Sequence, residues 1–220
     1  MYILYIGNKN YSSWSVRPWV LMKTAGIAFR EERIALYESG SSERVREVSP
    51  SGKVPSLRDG DTVVWDSMSI AEYLAERHQG LWPDDAKARA WARSASAEMH
   101  SGFSNLRNEF GMNVRLRVKK TPSLAVSEEI ARIVALWADG RKRFGAGGDF
   151  LCGAFGIVDA FWCPVAFRFQ SYGVSLDGVA DVYCRRLLAL PAMRKWAADA
   201  VQERERLPWL EPIDAQAQQQ

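Results

Sequence analysis

Strand signals crowd into the first third of this chain and then almost vanish, and that asymmetry limits what it can fold into. The run "YILYIG" (residues 2–7) is short, apolar and closed by glycine, as a buried strand would be. From Val16 onward Trp19, Val20 and Met22 recur at helical spacing, and Gly26 can end that helix in a left-handed turn. "AFREERIAL" reads as a second strand in spite of its charges, and "SSERVREVSP" as a short helix stopped by Pro50. "VPSLRDGDTVVW" reads as a hairpin turning at Asp59-Gly60. "DSMSIAEYLAERH" is amphipathic, with Ile70, Tyr73 and Leu74 on one stripe.

The order β-α-β-α-β-β-α predicts a thioredoxin-like α/β domain over residues 1–78. "QGLWPDDAK" then interrupts the rhythm, and residues 79–87 are read as a linker. Beyond it the pattern is helical. Residues 86–107 read as one long Ala-rich helix and "SEEIARIVALWADGRKRF" as another. "GIVDAFWCPVAFRF" is so apolar that it should be central, and "GVADVYCRRLLAL" and "PAMRKWAADAVQER" follow. Residues 88–212 are therefore expected to form an all-α domain, with 213–220 a disordered tail too poor in apolar residues to order itself.

Composition narrows the function classes. The net charge is +3 and the basic residues are dispersed, so nucleic acid is not an expected partner. The short basic run at 115–120 reads as a solvated helix end. No uninterrupted apolar run is long enough for a bilayer, and no charged leader precedes an apolar stretch after Met1. Three cysteines without a CxxC pair and two well-separated histidines argue against a zinc site or a disulfide framework. A cytoplasmic protein without a metal is the expectation.

One stretch invites chemistry. In "NYSSWSVRPW" three serines fall within four positions ahead of a helix. Ser15 can cap a helix starting at Val16, with Pro18 tolerated in its first turn. A hydroxyl there also adjoins unpaired N–H groups and the positive end of the helix dipole, a place that stabilises an anion such as a thiolate. No GxSxG elbow or neighbouring histidine would make such a serine a nucleophile. Two further segments accompany it. "KVPSL" sets Val54-Pro55 at the start of a hairpin strand, where a cis proline would leave the Val54 backbone groups exposed. "WDSMSIAEYL" sets Asp66-Ser67 at a helix start, where Ser67 can cap and the N–H groups can bind a carboxylate.

Together these segments resemble the glutathione S-transferase superfamily over nearly the whole chain. "SSWSVRPW" looks like the serine motif of theta- and zeta-type enzymes, commonly SSCSWR; "KVPSL" and "DSMSIAEYL" look like the Val-cisPro and Glu/Gln-Ser segments, and "GLWP" like the interdomain joint. The resemblance implies the two-domain fold, cytoplasmic homodimers and a detoxifying transferase that uses glutathione as co-substrate. It implies that Ser12, beside Ser13, hydrogen-bonds the glutathione sulfur. Val54, next to Pro55, would pair with the cysteinyl backbone, Lys53 would reach the glycine carboxylate, and Asp66 and Ser67 would hold the γ-glutamyl end. Trp14 departs from the zeta cysteine, Asp66 is shorter than the usual Glu or Gln, and Gly156 replaces the usual Ser/Thr ahead of Asp159, which reads as structural. No cysteine lies near residues 10–17, which disfavours disulfide chemistry.

The second substrate is expected against "HSGFSNLRNEFGMNVRLR". Phe103, Phe110 and Met112 can supply an apolar wall, and Asn113 and Arg115 a polar or anionic contact; Phe103 and Phe110 as core and Arg115 as solvated is the plainer reading. Two alternatives to a transferase stay open: a zeta-like glutathione-dependent isomerase or dehalogenase of small acids, and a non-catalytic binding module on the same fold.

Overall fold

In the computed structural model, which describes residues 1–211, β1 (Tyr2–Ile6) lies inside a four-stranded sheet of order β2-β1-β3-β4. It runs parallel to β2 (Phe29–Arg33) and antiparallel to β3 (Ser56–Asp59), which pairs in turn with β4 (Thr62–Trp65). The central position suits its composition, since Leu4 and Ile6 are wholly buried. The charges of β2 are explained by its place at the sheet edge, where Arg30 and Glu32 pair in solvent at 3.0 Å and blunt the open strand. The hairpin turn is displaced by one residue from the sequence reading. Asp59 still pairs with Thr62, so the loop is Gly60-Asp61, with Gly60 at φ +57°.

α1 (Ser13–Thr24) begins three residues ahead of its apolar pattern. Ser15 is therefore inside the first turn and not its cap. Its Oγ instead accepts the Gly7 N–H at 3.1 Å and the Ser12 hydroxyl at 2.7 Å. Pro18 is correspondingly the sixth helical residue and lies beyond the first turn, so its missing N–H leaves the Trp14 carbonyl without the usual helical partner. Gly26 does close the helix, at φ +68°, with the Ile27 N–H on the Met22 carbonyl. α2 (Ser41–Val48) and α3 (Ser67–Ala75) complete the thioredoxin-like unit.

Helices follow. The stretch expected to be one helix to residue 107 is two: α4 (Ala86–Ser101) and α5 (Ser104–Glu109). Phe103 between them is left-handed, at φ 57°. The break is stabilised from outside, because the Glu129 carboxylate accepts the N–H groups of Asn105 at 3.2 Å and Leu106 at 2.7 Å, the orphan donors of the new helix start. α6 (Leu124–Phe144) carries Glu129 and is capped by Ser123. α7 (Ile157–Tyr172) is the central helix; only Gln170 reaches solvent. Asp159 closes its start structurally, accepting the Gly156 N–H at 3.0 Å and the Tyr183 hydroxyl at 2.8 Å. α8 (Gly178–Ala189) and α9 (Pro191–Gln202) pack beyond it.

The two units share one core, through α1 against α7 and α9. The indoles of Trp19 and Trp196 meet edge to face at 5.2 Å, and the Trp196 Nε1–H donates to the Lys9 carbonyl at 2.8 Å. Residues 203–211 then turn back over the β1–α1 loop, ending in a 3-10 turn (Pro208–Leu210). The tail expected at 213–220 lies outside the described residues. No described helix is long and apolar enough to cross a membrane. Trp196→Ala removes a fully buried side chain from this joint and is expected to cost about 3–5 kcal/mol. Its denaturant midpoint should fall accordingly, and an unchanged midpoint would show that the shared core is not what joins the two units.

Candidate functional site

The loop from Gly7 to Ser12 leaves the end of β1 and delivers its serines to the start of α1. Ser12 is 8% exposed, with its hydroxyl engaged by Ser15, whereas Ser13 is half-buried and its hydroxyl has no partner among the described residues. Both line a cavity of about 510 Å³ between the sheet-side loops and the helices. Tyr11 also lines it, but its hydroxyl is committed, donating to Glu211 and accepting from Arg115 at 2.9 Å and the Leu207 N–H at 3.2 Å. Burial, reinforced by Glu211, raises the phenol above its ordinary range.

Facing the serines, the Val54–Pro55 peptide bond is cis. Lys53 and Val54 line both the large cavity and an adjoining one of about 360 Å³, and Trp14 is shared between the two. The smaller cavity is walled by Pro55, Asp66 and Ser67. The structure thus gathers Ser12, Ser13, Lys53, Val54, Pro55, Asp66 and Ser67 around two contiguous hollows. The cap of α3 is Asp66 and not Ser67. Its Oδ1 accepts the Met68 N–H at 2.7 Å, while Ser67 is the first helical residue and its hydroxyl accepts from Arg17 at 3.2 Å.

Arg17 is a functional candidate that the sequence reading passed over although it stands inside the quoted serine stretch. It is 2% exposed, flanked by the rings of Trp14 at 4.3 Å and Phe161 at 4.7 Å. Burial, then Arg107 and Arg168, pull it down to about 9, with Asp66 opposing. It remains charged at neutral pH. The same Nη1 lies 3.2 Å from His100 Nδ1, and His100 Nε2 lies 3.3 Å from Asp66 Oδ2. A guanidinium only donates, so Nδ1 is the acceptor and Nε2 carries the proton toward Asp66. Hence the His100–Asp66 contact is a hydrogen bond from a neutral ring, not an ion pair. Burial first, then Arg17 and Arg107, hold His100 below its ordinary value against the pull of Asp66. A histidine so lowered contributes stability that is complete above the unfolded value of about 6.5 and is lost as pH falls through the folded value. Tm measured against pH should therefore decline on acidification below about 6.5, and His100→Gln should flatten that limb. An equal decline in the variant would place its origin elsewhere.

The expected second-substrate residues divide. Met112 lines the large cavity. Phe103 does not; it packs against Trp162 at 5.9 Å, and Phe110 stacks on Tyr172 at 4.5 Å. Asn113 is wholly buried, bonded to Asn10 at 2.8 Å and the Leu210 carbonyl at 3.0 Å. Arg115 is neither solvated nor on the cavity wall. It ties the carbonyls of Glu203 and Glu205 and the Tyr11 hydroxyl together at 2.6–2.9 Å. The cationic wall belongs instead to Arg107 and Arg168, with Leu207 and Leu210 from the returning C-terminal segment beside them. An arginine in the apolar run "VAFRF" was the available signal for Arg168.

The profile of "Glutathione S-transferase, N-terminal domain" matches residues 11–77. Over 108 residues the chain is 31% identical to "Probable maleylacetoacetate isomerase" of Caenorhabditis elegans, a match covering 48% of this chain and spanning only 50% of that relative. It is 25% identical over 161 residues to "Stringent starvation protein A homolog" of Haemophilus ducreyi, covering 72% of this chain and 71% of that one. Among solved structures, a Burkholderia glutathione transferase homolog with bound glutathione superposes with a TM-score of 0.67 at 20% identity, covering 92% of this chain and 98% of that one, a likeness of fold. Residues 11–77 thus belong to the glutathione S-transferase N-terminal domain family, and the chain as a whole has the two-part fold of the solved glutathione transferases it superposes on.

Proposed function

We propose that this protein binds glutathione, lowers the pKa of its thiol and directs the thiolate at a small electrophile. The observation that carries the reading is the meeting of three elements at contiguous cavities: the serine-bearing start of α1, the Val54–Pro55 segment ahead of β3 and the Asp66–Ser67 start of α3. The γ-glutamyl end fits the smaller cavity, where Asp66 and Ser67 are backed by Arg17. Val54 backbone groups align the cysteinyl part, and Lys53 reaches toward the glycine carboxylate. The sulfur then lies at the start of α1, where a serine hydroxyl and the helix N–H groups favour its anionic form. The thiol proton leaves to solvent, the sulfur forms a bond to the electrophilic carbon, and the leaving group departs with its electron pair. Lowering the thiol pKa and holding the reactants together supply the acceleration; the nucleophile belongs to glutathione.

A zeta-like isomerase or dehalogenase would begin from the same thiolate and is favoured by the serine pair and the isomerase relative, while Trp14 in place of cysteine stands against it. Titration of glutathione with thiolate absorbance read across pH tests the common step. The bound thiol should ionise at least about one unit below its free value of about 8.5. Ser12→Ala and Ser13→Ala separate the two hydroxyls: the one that holds the sulfur should return the thiol toward 8.5 and lower kcat/KM roughly a hundredfold. An unperturbed bound thiol, or one unmoved in the double variant, would end the transferase reading.

A further inference from the structure

We propose that the cavity wall formed by α5 and α7 is an anion subsite, and that the electrophile this protein accepts carries a carboxylate held by Arg107 and Arg168. The proposal rests on the glutathione reading for the nucleophile and adds the class of its second substrate.

Arg168 projects from the most apolar helix of the chain and is 4% exposed, yet it makes no ion pair among the described residues. Its Nη1 donates to the carbonyls of Phe110 and Arg107, and its buried Nε has no partner among the described residues. Arg107 is held the same way, by the carbonyls of Met99 and His100. Carbonyl oxygens orient a guanidinium without neutralising it, and buried arginines are ordinarily found with a carboxylate or phosphate. The acid that Arg107 senses, Glu129, has both oxygens occupied at the start of α5 by the N–H groups of Asn105 and Leu106 and the Asn105 amide. None of the described residues lining the large cavity is acidic, while Lys53, Arg107 and Arg168 bring positive charge to it. Burial first, then repulsion from Arg107, depresses Arg168, as expected of a cation without enough counter-charge. An entering carboxylate supplies that charge.

The rest of the wall defines the remainder of the molecule. Leu36, Met112, Leu207 and Leu210 are apolar, and Ser12 and Ser13 line the same hollow. A compact apolar body with an acid at one end fits this arrangement, anchored on the helical side so that its electrophilic carbon is presented to the glutathione sulfur.

A matched pair tests it: para-(bromomethyl)benzoate against para-(bromomethyl)benzamide, each rate divided by that of the uncatalysed reaction with glutathione. The reacting carbon is the same and only the remote charge differs. The acid should be preferred in kcat/KM by about tenfold or more, a preference that Arg107→Gln reduces to about twofold or less. Arg107→Lys should keep part of it. Arg168→Gln should act in the same direction if its unfolding remains cooperative; if it does not fold, the Arg107 pair decides. Equal use of acid and amide by the wild-type protein, or a preference that survives Arg107→Gln, overturns the proposal. So does a rise in the glutathione Kd of about tenfold with the preference intact, since the arginines would then hold a carboxylate of glutathione itself. If the wild-type protein binds no glutathione, the transferase reading falls separately. Calorimetry with the unreactive para-toluate then decides the subsite: binding that Arg107→Gln abolishes supports it, and no binding overturns it.

Discussion

The loop between β1 and α1 is the part on which everything else depends, and the polar groups of Lys9 and Asn10 within it are satisfied largely by the helical unit. Lys9 and Asn10 are buried, so their backbone groups need partners that a bare loop cannot offer. Glu203 accepts both of their N–H groups, Trp196 donates to the Lys9 carbonyl, and the Asn10 carbonyl receives the Val114 N–H at 3.1 Å. The Lys9 ammonium lies between Glu31 at 2.7 Å and Asp199 at 2.7 Å, with the rings of Trp19 and Trp196 against it. A strand end, an edge strand and the last helix are thereby joined at one cation. The serines two and three residues beyond Asn10 are positioned by contacts made almost 200 residues later in the chain.

That dependence explains why Arg115 and Asn113 are not where sequence reasoning sent them. Both stand in a stretch rich in chemistry-bearing side chains, and both are consumed in holding the loop and the returning C-terminal segment. Their polar groups face other protein groups because the backbone they satisfy is buried, a requirement that precedes any ligand. Arg107 and Arg168 are the reverse case. Each looks unremarkable in sequence, as a helix-surface arginine and as an interruption in an apolar run. The break at Gly102–Phe103 and the central position of α7 bring both to one cavity.

The electrostatics of the site are organised in two layers. Beneath the smaller cavity, Arg17, Ser67, His100 and Asp66 form a chain in which a neutral imidazole links a cation to a carboxylate. Across the larger cavity the hydrogen-bond partners of the Arg107 and Arg168 guanidiniums among the described residues are carbonyls only. The first layer is balanced internally and suits a zwitterionic end group. The second is left with net positive charge. Trp14 separates them, its ring stacked by Arg17 on one side and within 4.9 Å of the Arg107 guanidinium. A small residue at this position would let the two layers merge, so the bulk of the indole shapes the site as well as filling it.

Local pattern was enough for the order of strands and helices and for the glycine that ends α1, because turn chemistry and apolar spacing act over a few residues, and the segments Ser12–Ser13, Val54–Pro55 and Asp66–Ser67 that it singles out line the two cavities. It misplaced what depends on partners far away. Ser15 accepts from Gly7 of the preceding strand end and caps nothing, the long helix breaks where Glu129 satisfies a new start, and the Ser67 hydroxyl is taken by Arg17 while Asp66 caps α3. Which arginines face the cavity, and which are spent on carbonyls of the returning segment, was decided only by the tertiary structure. The reason is physical: a buried charge takes its meaning from the groups that surround it, and those come from every part of the chain.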